Sequence, residues 1–483
     1  MNSLFWHDYE TFGTDTQKDR PCQFAGIRTD LDLNIIGEPT TLYCKPAEDF
    51  LPSPEACLVT GITPQIALQE GVIETEFADV IHQLFSEPGT CVAGYNSIRF
   101  DDEVTRNLFY RNFIDPYERE WKDGNSRWDI IDLVRLTYAL RPEGIVWPAD
   151  ENQNISFRLE KLTEANGIEH ASAHDAMSDV YATIAIAKLI KEKQPKLYQY
   201  IFESRNKNVV RKLFDIDSHK PVMHVSSKYP VSLGCCALVA PLFVHPKNNN
   251  GIVVFDLRQN PEKLLSFSAE RIKELLYTPT KQLPEGIERP GLKTIHLNKC
   301  PMVVPASMAK TLSEDTLMDR GIDLALIKQH LEFIRENPEL LKKLYEVFNV
   351  EFDRPSEGAD PDLMLYSGGF FSQNDKAEMS RVRSSSEVEL AESEFRFQDS
   401  RFQEMLFRFK ARNYPSTLNE SEQDRWLNYC SQKLMSKDSA YLNFNAFFER
   451  LNQCSNLDEG TTSRGKAVIE DLKYYAESII PYQ

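Results

Sequence analysis

Ser3-Leu4-Phe5-Trp6-His7-Asp8-Tyr9-Glu10 opens the chain with an apolar run that ends in two carboxylates. Residues 3–9 read as a β-strand, and because strand side chains alternate between faces, Asp8 and Glu10 project to the same side at its C-terminal end. Like charges that close raise each other's pKa unless a cation lies between them, so the pair points to Mg²⁺ or Mn²⁺. Further strands are predicted at residues 24–29, 41–44 and 90–95, the last of them buried, and helices at 75–86, 102–112, 129–139 and, most clearly, 176–193. This alternation specifies an α/β segment over residues 1–195.

Two more acidic elements lie in the same segment. Asp101-Asp102 follows the buried strand through Asn96-Ser97-Ile98-Arg99-Phe100, where the chain turns into a helix, and one of the two acids reads as an N-cap or first-turn carboxylate facing the positive end of the helix dipole. Ala173-His174-Asp175-Ala176-Met177-Ser178-Asp179 opens the long helix. Asp175 reads as its cap, which lets His174 before it and Asp179 one turn inside lean toward one place.

Past Gln194-Pro195 the pattern changes. Apolar strand-like runs at 221–226, 237–244, 251–257 and 294–297, broken by Pro, Gly and the Asn248-Asn249-Asn250-Gly251 turn, suggest a small β-barrel or twisted sheet over residues 196–350. Helical periodicity returns from about 324. After a loop rich in Pro, Gly and Asp (354–369) it continues to the end, with starts such as Ser416-Thr417-Leu418-Asn419-Glu420, so residues 351–483 read as a helical domain. Arg381 to Ser386 reads as a solvated linker or loop.

The 483 residues carry 55 Lys+Arg and 73 Asp+Glu, a net charge of −18. The first segment is acidic by 16, the middle one basic by 5 and the last acidic by 7. A basic stripe beside clustered carboxylates suits a polyanion held over a metal site. Whole-chain disorder is excluded by the apolar content, and no run approaches the roughly 18–20 apolar residues of a bilayer helix. The N-terminus meets a carboxylate before a signal-peptide core could form, so a cytoplasmic address is expected. The nine cysteines are scattered without C-x-x-C spacing, which indicates neither a disulfide framework nor a zinc site.

Asp8, Glu10, Asp101, His174 and Asp179 match the pattern of the DEDDh 3′→5′ exonucleases with a ribonuclease H-like fold. More closely, His7-Asp8-Tyr9-Glu10-Thr11-Phe12-Gly13, Arg99-Phe100-Asp101-Asp102-Glu103, Leu140-Arg141-Pro142-Glu143-Gly144 and Ala165-Asn166-Gly167-Ile168-Glu169-His170 resemble the bacterial exonuclease I family. The resemblance continues through His296-Leu297-Asn298-Lys299-Cys300-Pro301, Gly369-Phe370-Phe371-Ser372 and Ala411-Arg412-Asn413, and so spans essentially the whole chain. It implies an exonuclease domain, a Src-homology-3-like β domain and a helical C-terminal domain that together form a C-shaped clamp. The implied activity is processive, Mg²⁺-dependent 3′→5′ hydrolysis of single-stranded DNA to 5′-mononucleotides, with two ions per site and Mn²⁺ as substitute. The implied pathways are repair and recombination.

By the same resemblance Asp8, Glu10 and Asp179 ligate metal, Asp101 serves the second ion and His174 is the general base. Between residues 99 and 141 arginines interleave with aromatics, a mixture that suits base stacking and phosphate tracking. The strand contacts implied are Glu10, Arg106, Tyr117, Trp121, Arg135 and Arg158, with Asn250, Lys293 and Asn298 in the middle segment and Tyr366, Phe370 and Phe371 beyond it. The acidic C-terminal tail of single-stranded-DNA-binding protein is an implied partner, met by Arg141, Lys220 and Arg335 with Tyr200 as an apolar floor. The resemblance weakens over 305–320, where Pro305 and Lys310 stand. A monomer is expected, cytoplasmic and nucleoid-associated on DNA. The rival readings are an oligoribonuclease or proofreading exonuclease, a catalytically inactive single-strand binder, and a small-molecule phosphatase.

Overall fold

The strand that carries Asp8 and Glu10, β1 (Ser3–Thr11), lies between two partners of opposite direction. The computed structural model describes residues 2–151, 153–170, 175–350 and 359–480. They form two units, one from residues 1–126, 170–184 and 354–483, the other from 127–169 and 185–353.

In the first unit β1 pairs antiparallel with β2 (Pro21–Thr29), β2 pairs antiparallel with β3 (Thr40–Tyr43), and β1 pairs parallel with β4 (Thr90–Gly94), in the order β3-β2-β1-β4. The β1–β4 ladder runs only from Ser3–Thr90 to Trp6–Ala93, so Asp8 and Glu10 extend past it. Alternation along β1 decides which side chains do chemistry. Phe5 and Tyr9 enter a core with Phe77, Ile81 and Phe85 of α1 (Glu74–Ser86) and Val104, Leu108 and Phe109 of α2 (Asp101–Arg111). The even-numbered Asp8 and Glu10 therefore face away from these helices.

Gly94 ends β4 where only a hydrogen fits. A Cβ there would stand 2.8 Å from the Ser97 Cβ and 2.9 Å from the His7 carbonyl oxygen, and the latter is β1 backbone that cannot swing aside. Gly94→Ala is expected to cost about 1–3 kcal/mol in urea unfolding by pushing on the strand next to Asp8.

The C-terminal helices complete this unit's cores. Phe402, Met405 and Phe409 of the helix Arg401–Asn413 pack with Tyr110 and Phe113. A second core joins Phe12, Phe50, Leu51 and Cys57 to Leu434, Phe447, Leu451 and Leu472. Beside it Asp49 is fully buried and accepts hydrogen bonds from Arg412 Nη2 at 2.8 Å and Lys433 Nζ at 2.6 Å. Arg381 to Ser386 is not a solvated loop: a helix spans Gln373–Ser384, and Ser386 caps the next one in a capping box with Glu389. In the stretch beginning at Ser416 the cap is Asn419, paired with Glu422.

After β5 (Ser126–Asp129) carries the chain between the units, the second unit holds a five-stranded sheet whose neighbouring strands are all antiparallel. Its order is β10 (Met302–Pro305), β6 (Val222–Val225), β7 (Cys236–Val244), β8 (Gly251–Asp256) and β9 (Leu292–His296). Val222, Val239, Ile252, Val254, Ile295 and Val303 form its core. All nine cysteines are buried thiols outside any disulfide. Among the described residues no helix is long and apolar enough to cross a membrane.

Candidate active site

Three carboxylates converge in the first unit. Asp8 and Glu10 come from β1 and Asp179 from the first turn of α3 (Ala176–Lys193), and one oxygen from each lies within 4.8 Å of the others. Asp175 sets the start of α3: its carboxylate accepts the Ser178 N–H at 3.0 Å and its carbonyl the Asp179 N–H at 3.0 Å. That cap fixes where the first turn presents Asp179. Asp101, the first residue of α2, accepts the Tyr9 N–H at 3.2 Å, which ties the helix start to the peptide between Asp8 and Glu10. The Tyr9 phenol supports the same corner through Thr105 Oγ1 at 3.0 Å, and that hydroxyl donates to the Asp101 carbonyl at 2.8 Å.

Burial, then the charges of Asp101, Glu10, Asp179 and Asp175, holds the Asp8 carboxyl well above its usual range. Burial and the charges of Asp179, Asp101 and Asp175 push Glu10 up to about 8. A donor set made only of carboxylate oxygens and strained by its own repulsion fits a hard divalent cation. Asp102, by contrast, is spent on structure: Arg119 Nη2 donates to it at 2.6 Å, and both side chains are buried.

His174 lies outside the described residues, within 171–174. One histidine near the site escaped the sequence reading. His170 Nε2 lies 2.5 Å from Asp179 Oδ1, nine residues along the chain. The only signal for it is its place at the end of Gly167-Ile168-Glu169-His170, a motif read for family resemblance and not for chemistry.

In the first unit, Arg106, Tyr117, Tyr366 and Phe370 stand together. The Arg106 guanidinium lies over the Tyr117 ring at 5.4 Å and donates to the Tyr366 hydroxyl at 3.1 Å, and Tyr117 meets Phe370 edge to face at 6.2 Å. Trp121, Tyr366 and Phe370 are 65%, 51% and 92% exposed, offering free ring faces. Phe371 turns inward, stacked on Tyr110 at 6.1 Å and packed on Phe402.

In the second unit, Arg135 pairs with Asp132 at 2.7 Å, and Arg158 is exposed just before the helix Leu159–Ala165. The Asn250 carbonyl accepts the Leu297 N–H at 2.7 Å, the Lys293 ammonium lies over the Tyr229 ring at 4.4 Å, and the Asn298 carbonyl accepts from Arg127 at 2.8 Å. Of the four tail-binding candidates, Lys220 and Arg335 meet at one turn: the Lys220 N–H donates to Asp215, and Arg335 donates to the Ser218 carbonyl at 2.9 and 2.6 Å. Arg141 instead donates to Thr311 at 2.8 Å, and Tyr200 to the Val303 carbonyl at 3.5 Å.

Much of the arginine–aromatic run between 99 and 141 is interior. Arg111 pairs with Glu74 at 2.7 Å, Arg119 with Asp102, and Phe109, Tyr110, Phe113 and Trp128 are buried. Interleaving arises here because buried arginines need buried acids and the aromatics fill the core around them.

Three family models match the chain: Exonuclease over residues 5–187, Exonuclease I SH3-like domain over 205–350, and Exonuclease I C-terminal domain over 359–479. The chain is 50% identical over 450 residues to Exodeoxyribonuclease I of Haemophilus influenzae, covering 93% of each. It belongs to the exodeoxyribonuclease I family. The exodeoxyribonuclease I fold is present throughout: the crystal structure of Escherichia coli Exonuclease I in complex with a dA16 oligonucleotide matches 99% of this chain and 100% of its own, with 43% identity and a TM-score of 0.94. A zinc-ion-bound form of an Escherichia coli ExoI–single-stranded-DNA complex matches 99% of each chain at 43% identity and a TM-score of 0.93. The exonuclease, SH3-like and C-terminal order that the sequence implies is the order in which the three family models match.

Proposed function

We propose that this chain is a divalent-metal-dependent 3′→5′ exodeoxyribonuclease that degrades single-stranded DNA processively, releasing 5′-mononucleotides. The observation that carries this reading is the Asp8–Glu10–Asp179 cluster, within 4.8 Å, in a member of the exodeoxyribonuclease I family. Asp8, Glu10 and Asp179 hold the metal, with Asp101, kept in place by the Tyr9 N–H, assisting at a second ion. Two divalent ions, when bound, supply an activated water and neutralise the charge that develops at the phosphate. The all-oxygen donor set favours Mg²⁺, with Mn²⁺ as substitute. His174, one residue before the α3 cap, takes the proton of the attacking water.

The exposed rings of Trp121, Tyr366 and Phe370, with Tyr117 and Arg106, stack bases and meet phosphates, a sequence-tolerant mode of holding a single strand. Glu10 and Phe371 in the first unit, and Arg158, Arg135, Asn250, Lys293 and Asn298 in the second, are further strand contacts by the family resemblance. Residues 1–195 perform the cleavage, while the β segment 196–350 and the helical segment 351–483 keep the strand engaged between cuts. Arg141, Tyr200, Lys220 and Arg335 receive the acidic tail of single-stranded-DNA-binding protein, and the protein works as a cytoplasmic monomer.

The test is digestion of end-labelled single-stranded and duplex DNA in Mg²⁺ or EDTA by the parent and His174→Ala. Mg²⁺-dependent mononucleotide release from the 3′ ends of single strands, lost in the variant, is the expected result. Binding of single strands without any cleavage by the parent would overturn it.

A further inference from the structure

Arg106 of α2 is almost wholly occupied by acids of its own chain. Its Nε and Nη2 donate to the two oxygens of Glu120 at 2.7 and 3.0 Å, and its Nη1 donates to Glu103 at 2.9 Å and to the Tyr366 hydroxyl at 3.1 Å. Four of the five N–H donors of a guanidinium are thereby engaged. The Tyr117 ring covers its face, and the Tyr366 hydroxyl is itself bonded to Glu103. The ion pair is sheltered, with side-chain exposures of 5% for Arg106 and 10% for Glu120. Glu120 sits in the short turn Glu118–Glu120 between Tyr117 and the exposed Trp121, amid the rings proposed above to stack bases.

A carboxylate gripping a guanidinium through two parallel N–H bonds has the shape and charge of a phosphate bound the same way. We infer that Glu120 is an internal phosphate mimic: it occupies the edge of Arg106 that a strand phosphate takes, and strand entry exchanges one anion for the other. The inference rests on the proposed role of Arg106 as a strand contact. The Glu120 carboxylate already on that edge repels an approaching phosphate until it yields. The net gain from each phosphate at Arg106 is small by construction. That suits an enzyme whose strand must advance after every cut, because an uncontested bidentate grip on the backbone would resist sliding.

The test measures binding of a labelled oligothymidylate in EDTA by fluorescence anisotropy over a range of salt, with matched thermal melts to verify folding. Glu120→Gln keeps the side-chain shape and removes the competing charge. It is expected to tighten binding about tenfold at low salt and to steepen the slope of log K against log salt by about one, as Arg106 neutralises a phosphate without surrendering a carboxylate. Arg106→Ala is expected to weaken binding, and the double variant to match Arg106→Ala, since without Arg106 nothing is left to compete for. Glu120→Ser provides a second, smaller replacement if Glu120→Gln melts early. Unchanged or weaker binding in both Glu120 variants, with Arg106→Ala weakened, would overturn this inference and make Glu120 a mere prop for Arg106. Unchanged binding in Arg106→Ala would overturn the strand-contact role and the inference together.

Discussion

Asp8→Asn lowers the rate of single-strand hydrolysis in saturating Mg²⁺ by about 10³-fold or more, while strand binding in EDTA stays within about threefold of the parent. The two readouts separate because Asp8 points into the carboxylate cluster, whereas the exposed rings of Trp121, Tyr366 and Phe370 belong to other elements. Asn preserves shape and one acceptor oxygen but removes the charge on which a divalent cation depends. Equal loss of binding and cleavage would mean that the cluster holds the strand and not the metal.

The same substitution has an opposite effect on stability. Glu10, pushed up to about 8 against an ordinary 4.5, binds its proton more tightly when folded than when unfolded. Its contribution is therefore fully present below about pH 4.5 and is lost as pH rises through about 8, a loss on the order of 3–5 kcal/mol at roughly 1.4 kcal/mol per unit. Thermal melts in EDTA should fall across that interval, and divalent metal should flatten the fall. Asp8→Asn removes a carboxyl that burial and the charges of Asp101, Glu10, Asp179 and Asp175 hold well above its usual range, so the variant in EDTA melts above the parent near pH 8. Burial and repulsion within the carboxylate cluster thus lower the stability of the protein in EDTA. Identical melting of variant and parent in EDTA would refute this account.

Asp49→Asn is expected to destabilise the protein by about 3–5 kcal/mol in urea unfolding. Asp49 has no exposed surface, and Arg412 and Lys433 both point at it, so neutralising it leaves two buried cations facing an amide. Arg412 retains Asp362 at 2.6 Å, which makes Lys433 the stranded charge. Asp49→Asn combined with Lys433→Met should therefore cost less than Asp49→Asn alone, a non-additivity that a simple packing defect would not produce. The Asp49 carboxyl is held far below its usual range by Arg412 and Lys433 against the opposing effect of burial. Its stabilisation is thus present above about pH 4 and is lost as pH falls further, the reverse of the Glu10 dependence.

The clustered carboxylates were legible because each rests on a local rule. Period-two alternation puts Asp8 and Glu10 on one face, and a capping residue at Asp175 places Asp179 one turn inside α3. Partners distant in sequence were not legible. Nothing local distinguishes Asp101, which turns to Tyr9, from Asp102, which turns to Arg119 seventeen residues on. The arginine–aromatic run looked like a strand-binding surface because composition does not reveal that Glu74 and Asp102 neutralise it from within. Arg381 to Ser386 looked like a loop because its charge hides a helix end followed by a capping box. β10 and the helix Ala269–Tyr277 went unread, the strand because prolines bracket three apolar residues and the helix because it is only nine residues long.

The shared core of Phe12, Phe50, Phe447 and Leu472 has a consequence at the ribosome. The residues that flank the carboxylate strand emerge early, and the helix that covers them, Ser463–Ser478, emerges about 400 residues later. At roughly 5–20 residues per second the nascent N-terminal segment waits about 20–80 s with that apolar surface uncovered. A chain truncated by a premature stop or a stalled message therefore carries the β1 carboxylates without the helix that closes the core beside them, so hydrolytic competence depends on residues translated long after the site's own acids.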